Sequence, residues 1–257
     1  MPDLLAQAIA TPGVAWLALA VIVAGLVRGF AGFGSAMIIM PVAASVLSPV
    51  EAILFLTAAE VIGPLPNLPD ALREGAPREV GRLLLGVLIG MPLGLWGLSL
   101  ISPEGFGWIV SGVVLGLLAL LLAGWRYHGP LGAKLVTATG ALGGFMTGFA
   151  GIAGPPVILL YMASRRPAAV IRANFLLYLL GLDLMLFAML AATGQVVWPV
   201  LWLGLLAGVP NVIANIIGAR LFDPKRERLF RAVAYIVIAA SACRCGISEP
   251  VRDVTCD

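Results

Sequence analysis

Glu60 and Asp183 each fall well inside a long apolar stretch, where a carboxylate costs about 2.5 to 3.5 kcal/mol on membrane-insertion scales. A charge in that position faces a bundle interior or a wet cavity, where it can carry a coupling proton. The competing reading is a structural carboxylate bonded to a neighbouring helix. Arg28 and Arg172 are cations beside apolar segments, and a guanidinium suits the geometry of a sulfonate as it suits phosphate. A cytoplasmic turn accounts for Arg28 as well, and snorkelling to the interface accounts for Arg172. Asn174 lies about a turn into its segment, while Asn211 and Asn215 are four apart on one helix face just after Pro210. Their amides can bind an anion without clamping it, or can bond helix to helix. Glu51 needs only a capping role.

Soluble catalysis has no comparable set of residues. His128, the only histidine, sits in the basic loop Arg126–Pro130 with no nucleophile or carboxylate constellation around it. There is no GxxxxGK[ST] loop and no dinucleotide fingerprint. The cysteines, Cys243, Cys245 and Cys256, have no metal-ligand spacing. An enzyme is therefore not expected, nor a cofactor, nor a metal site.

The elements that must position these residues follow from composition. Hydrophobic residues make up 61% of the chain and charged residues 11%, and mean hydropathy is +1.04, far outside the soluble globular range. Long apolar runs without period-2 alternation predict an all-α polytopic membrane bundle rather than a β-barrel. Pro2-Asp3 is a poor start for a secretory signal, so the first apolar segment is expected to be retained. The net charge of +3 comes from basic residues scattered among loops, which topology explains better than nucleic-acid binding does.

Ten apolar segments can be marked, at about 12–28, 33–47, 50–66, 80–101, 105–125, 131–149, 153–164, 168–192, 196–219 and 228–242. A full span needs about 20 residues, so 33–47 and 153–164 read as broken or re-entrant half-helices. Each follows the tetrapeptide Gly-Phe-Ala-Gly, which occurs at Gly29–Gly32 and again at Gly148–Gly151. With a one-residue slip, Gly86 and Gly90-Met91-Pro92 also align with Gly204 and Gly208-Val209-Pro210. Five segments in each half predict two inverted repeats, 1–128 and 129–242, followed by a polar tail, 243–257, that is left out of the functional argument, its origin as a native or non-native end being open. Every second loop is basic, from Arg73, Arg78 and Arg82 to Lys225, Arg226 and Arg228. The positive-inside rule then puts Arg73 and Arg226 in the cytoplasm and both termini outside it.

The stretch from Gly25 to Ala52, with Gly29-Phe30-Ala31-Gly32-Phe33-Gly34-Ser35, Met40-Pro41 and Ser48-Pro49-Val50-Glu51-Ala52, resembles the first repeat of the TauE/SafE family of sulfite exporters. Gly143 to Pro156 resembles that family's second signature, and the likeness covers about residues 14 to 240. The family usually finishes with an apolar helix, unlike the Cys-containing tail here. The resemblance implies a secondary carrier in the bacterial inner membrane that exports or exchanges a small sulfur-containing or organic anion, such as sulfite or a sulfonate like sulfoacetate. An anion channel is the alternative, and a non-transport assembly factor a more distant one.

Half-helix N-termini present free N–H groups and a positive dipole end, and glycine lets an oxyanion approach the backbone closely. The candidate substrate-binding residues are accordingly Arg28, Gly32, Gly34, Ser35, Gly151, Ala153, Gly154, Asn174, Asn211 and Asn215, with Glu60 and Asp183 as coupling candidates. Tight helix crossing is the other role open to the glycines. The expected partners are a small anion, the lipid bilayer and a coupling proton or other ion, with a homodimer left open and nucleic acid excluded.

Overall fold

A computed structural model describes residues 13–31, 34–123, 132–162, 166–221, 233 and 235–242. The described residues are helical throughout, with no strand. In chain order they form α1 (Val14–Ala31), α2 (Ser35–Ala44), α3 (Pro49–Glu60), a single 3₁₀ turn (Leu65–Asn67), α4 (Leu68–Glu74), α5 (Pro77–Ser99) and α6 (Pro103–Leu122). Then follow α7 (Ala133–Ala150), α8 (Gly154–Met162), α9 (Ala168–Ala192), α10 (Trp198–Leu221) and a last stretch, α11, at 235–242.

Each of the ten apolar segments has a helix in its place. Among the described residues three helices are long and apolar enough to cross a membrane, Pro77–Ser99, Ala169–Ala192 and Trp198–Leu221. The bent pair Pro49–Glu60 and Leu65–Glu74 makes a fourth, with an angle of 46° at the break. That bend departs from the single segment expected at 50–66. Gly63-Pro64-Leu65-Pro66 and Pro69 interrupt the apolar run, and proline removes a backbone donor and clashes with the preceding turn. In the second half α9 carries no proline and runs unbroken for 25 residues. Arg78 and Arg82, expected in a loop, lie in the first turns of α5. Residues 243–257, and Arg226 among the basic positions, lie outside the described residues.

Local signals set the helix starts. The Ser48 N–H donates to Glu51 Oε2 at 3.0 Å, and Pro49 opens α3 with the φ a first turn wants. Val14 and Ala133, Ser35 and Gly154, and Pro49 and Ala168 are all related by the register that lays Gly29 on Gly148.

Glycine seams hold the bundle together. The principal packed pairs are α5 with α7 and α1 with α10, followed by α3 with α10. A Cβ on Gly90 would lie 1.9 Å from the Ala141 carbonyl oxygen, and one on Gly140 2.1 Å from that of Leu83. On the other seam, a Cβ on Gly29 would meet the Asn215 oxygen at 2.2 Å and one on Gly218 the Leu26 oxygen at 2.3 Å. Backbones this close exclude any side chain, which is how membrane helices gain packing contact without a hydrophobic drive between them. Gly29 and Gly148, the first glycines of the two tetrapeptides, therefore serve the seams. Gly204 and Gly208, aligned by sequence with Gly86 and Gly90, pack on α3 instead, against Phe55, Ala58, Ala59 and Ile62.

Candidate functional site

The chain breaks after α1 and α7 open onto one internal cavity. Backbone geometry makes the breaks. Gly34, before α2, has φ 97°, and Gly151, after α7, has φ 72°; both lie in the left-handed region that L side chains avoid. The Gly151 N–H closes α7 on the Thr147 carbonyl at 2.8 Å. A Cβ at Gly151 would also collide with the Met40 sulfur at 2.7 Å, so the second break is tied to the body of α2.

Around the cavity the two halves supply different chemistry. From the first half come Arg28 in the last turn of α1, Gly34 and Ser35 at the start of α2, and Thr57 and Glu60 a turn apart on α3. From the second half come Thr147, the backbone from Gly151 to Pro155, an apolar wall that includes Phe175 and Leu179, and Asp183 of α9. The cavity has a volume of about 60 Å³, room for a few waters. An oxyanion of four or five heavy atoms is of that size.

Arg28 Nη1 lies 3.5 Å from Glu60 Oε1. That is an ion-pair distance but longer than a good hydrogen bond, and Glu60 Oε1 is buried with no hydrogen-bond partner among the described residues. Ser35 is buried, at 5% exposure, and its hydroxyl bonds no described residue; Thr57 is in the same situation at 7%. The Thr147 hydroxyl is already committed, donating to the Gly143 carbonyl at 2.7 Å. Asp183 has no hydrogen bond or ion pair among the described residues, yet it lies within electrostatic reach of both Glu60 and Arg28.

Of the sequence candidates, the cavity gathers Arg28, Gly34, Ser35, Gly151, Ala153, Gly154, Glu60 and Asp183. Gly32 lies outside the described residues. The three asparagines are not in the cavity lining. Asn174 is fully buried where three helices meet. It accepts the Ala76 N–H at 2.6 Å and donates to Glu79 at 3.0 Å and to the Tyr161 hydroxyl at 3.1 Å, while Arg166 pairs with Glu79. This cluster fastens the start of α5 and the end of α8 to α9. Asn211 and Asn215 lie on the α1 seam, where Gly25 and Gly29 face their backbone carbonyls, and Asn211 Nδ2 is buried without a partner among the described residues. Arg172 is exposed. Thr57 was not singled out from sequence, although its position three residues before Glu60 puts both on one helix face.

Apolar helices of membrane-crossing length, with a cavity lined by two helix breaks, fit a multi-pass membrane protein. The chain belongs to the TauE/SafE sulfite exporter family, whose family model matches residues 17–245. No curated protein and no solved structure matches it significantly.

Proposed function

We propose that this protein is a secondary carrier that binds a small sulfur oxyanion, sulfite or a short sulfonate, in the cavity between the two breaks and moves it by alternating access. The observation that carries this reading is the convergence in one cavity of Arg28, the α2 N-terminus and two uncommitted hydroxyls, Ser35 and Thr57. Backbone N–H groups at a helix start, a guanidinium and neutral hydroxyl donors together suit three or more oxyanion oxygens.

Two inverted five-segment repeats, 1–128 and 129–242, are the architecture that best accounts for the shared register of helix starts. The α5–α7 seam resembles the α10–α1 seam: Leu26 and Phe145 obey that register and face Gly218 and Gly94, although those two glycines lie 124 positions apart rather than 119. Inverted copies bring corresponding breaks together near the midplane. Glu60 and Asp183 are the groups available to carry a coupling proton. Arg73, Arg78, Arg82 and Arg166 lie on the cytoplasmic side of a bacterial inner membrane in this arrangement.

Reconstituted vesicles test the carrier directly. Saturable uptake of labelled sulfite, accelerated by unlabelled sulfite on the opposite side, is expected of a carrier, whereas a channel shows no such acceleration. Topology is checked in cells, in a background with Cys243, Cys245 and Cys256 replaced. A cysteine at position 73 should resist an impermeant reagent added from outside, and its labelling would reverse the orientation.

A further inference from the structure

We propose that Glu60 is the resident anion of the Arg28 site: substrate anion and Glu60 carboxylate occupy the same guanidinium in turn, so that each anion bound obliges Glu60 to take up one proton. This deepens the anion-carrier reading and rests on it.

Three observations lead here. Arg28 has one ionic partner among the described residues, Glu60, and that contact is loose at 3.5 Å, with Glu60 Oε1 buried and lacking any hydrogen bond. A guanidinium has five N–H donors, so an oxyanion arriving in the cavity meets uncommitted donors as soon as Glu60 yields. Next, the charges that face one another across the cavity are Arg28 from α1, Glu60 from α3 and Asp183 from α9, with the Tyr178 phenol further along α9 within reach of Asp183. The other lining segments, from α2, α7 and α8, contribute hydroxyls, apolar groups and backbone. Beside one guanidinium the lining carries two carboxyl groups, and each one that is ionised opposes a further anion. Protonating Glu60 removes that repulsion and frees the cation in one step. Finally, Ser35 and Thr57 are buried hydroxyls with no described partner, placed to complete the shell of an oxyanion without adding charge.

The balance is simple. The carboxylate takes a proton from solvent and becomes the acid, its ion pair with Arg28 breaks, and the anion forms the replacement pair. No electrons are transferred. The empty carrier returns with Glu60 ionised on Arg28, so anion and proton travel together, and a monoanion crosses without net charge.

Calorimetric titration of the purified wild-type protein with methanesulfonate, whose charge is constant across the working range, in buffers of different ionisation enthalpy reads the proton stoichiometry without any variant. About one proton taken up per anion is expected, with affinity falling up to tenfold per pH unit on the alkaline side. Glu60→Gln should bind at pH 8 as tightly as wild type binds in acid, with no proton uptake. Binding without proton uptake in the wild type, or uptake that persists in Glu60→Gln, overturns the exchange and leaves the anion site standing. Uptake abolished by Asp183→Asn but kept by Glu60→Gln gives the role to Asp183 and likewise overturns it. Undiminished binding in Arg28→Gln, or no binding of methanesulfonate, sulfite or sulfate by folded wild type at any pH, removes the anion site itself and the exchange with it.

Discussion

At the first break Arg28 stands in the last turn of α1, and α2 starts with Ser35-Ala36-Met37-Ile38, all of which keep their N–H groups. At the second break Thr147 stands in the place of Arg28, its hydroxyl spent on its own helix, and α8 starts with Gly154-Pro155-Pro156. The two prolines delete two of the four free donors that a helix start offers an anion. Glu60 and Thr57 also belong to the first half, whereas the second half contributes the apolar wall and an unpaired Asp183. On the carrier reading proposed above, the first half grips the anion and the second half shapes its cavity.

Exchanging the charge tests that division most severely. Arg28→Gln should weaken methanesulfonate or sulfite binding about 30- to 100-fold, the loss of roughly 2 to 3 kcal/mol of charge-assisted hydrogen bonding. Thr147→Val should change it less than about threefold. Equal losses at the two positions, measured by calorimetry on folded protein, would erase the difference between the halves.

The break glycines come next. Gly34→Ala forces a side chain into left-handed backbone at a cost of about 1 to 2 kcal/mol and crowds Ile238 at 3.3 Å, whereas a Cβ on Gly154 meets nothing closer than Phe175 at 3.5 Å. Thermal denaturation in detergent should show a clear loss for Gly34→Ala and little for Gly154→Ala. Gly112→Ala and Gly116→Ala serve as references because both positions are open within 4 Å. A loss at Gly154 as large as at Gly34 would mean that the start of α8 tolerates a side chain no better than the strained residue before α2.

How far the sequence foretold this follows from what each signal encodes. Ten apolar runs became ten helical stretches because membrane burial demands internally satisfied backbone. The tetrapeptide located the breaks and five cavity residues, Gly34, Ser35, Gly151, Ala153 and Gly154, while charged residues in and beside the apolar segments gave Arg28, Glu60 and Asp183. It did not separate the seam glycine Gly148 from the cavity glycine Gly151, which stand three residues apart in the same tetrapeptide. The asparagines were ambiguous for a related reason: an amide donates equally well to an anion or to Glu79. The bend after Glu60 was written in Gly63-Pro64-Leu65-Pro66, but the hydropathy of the run masked it.

Hydroxyl donors come third. Ser35→Ala and Thr57→Val each remove one donor from the gripping half, worth about 1 kcal/mol or roughly fivefold in affinity. Neither loses a described hydrogen bond in the empty protein, so melting temperature should hold while the dissociation constant rises. A fall in stability without a change in affinity would return both residues to packing.

The smallest expected effect is also the most discriminating, because it adds chemistry instead of removing it. Pro155→Ala with Pro156→Ala restores two N–H groups to the start of α8, and alanine suits a helix at least as well as proline does at these positions. If the anion rests on Arg28 and the α2 N-terminus, donors added at the start of α8 are not among its partners and affinity should move less than about twofold, an energy under 0.5 kcal/mol. A tenfold gain would mean that the anion sits midway between the breaks and had been held back by the missing donors. The prolines would then mark an affinity kept low for release, and the second half would be a weakened copy of the grip rather than a wall.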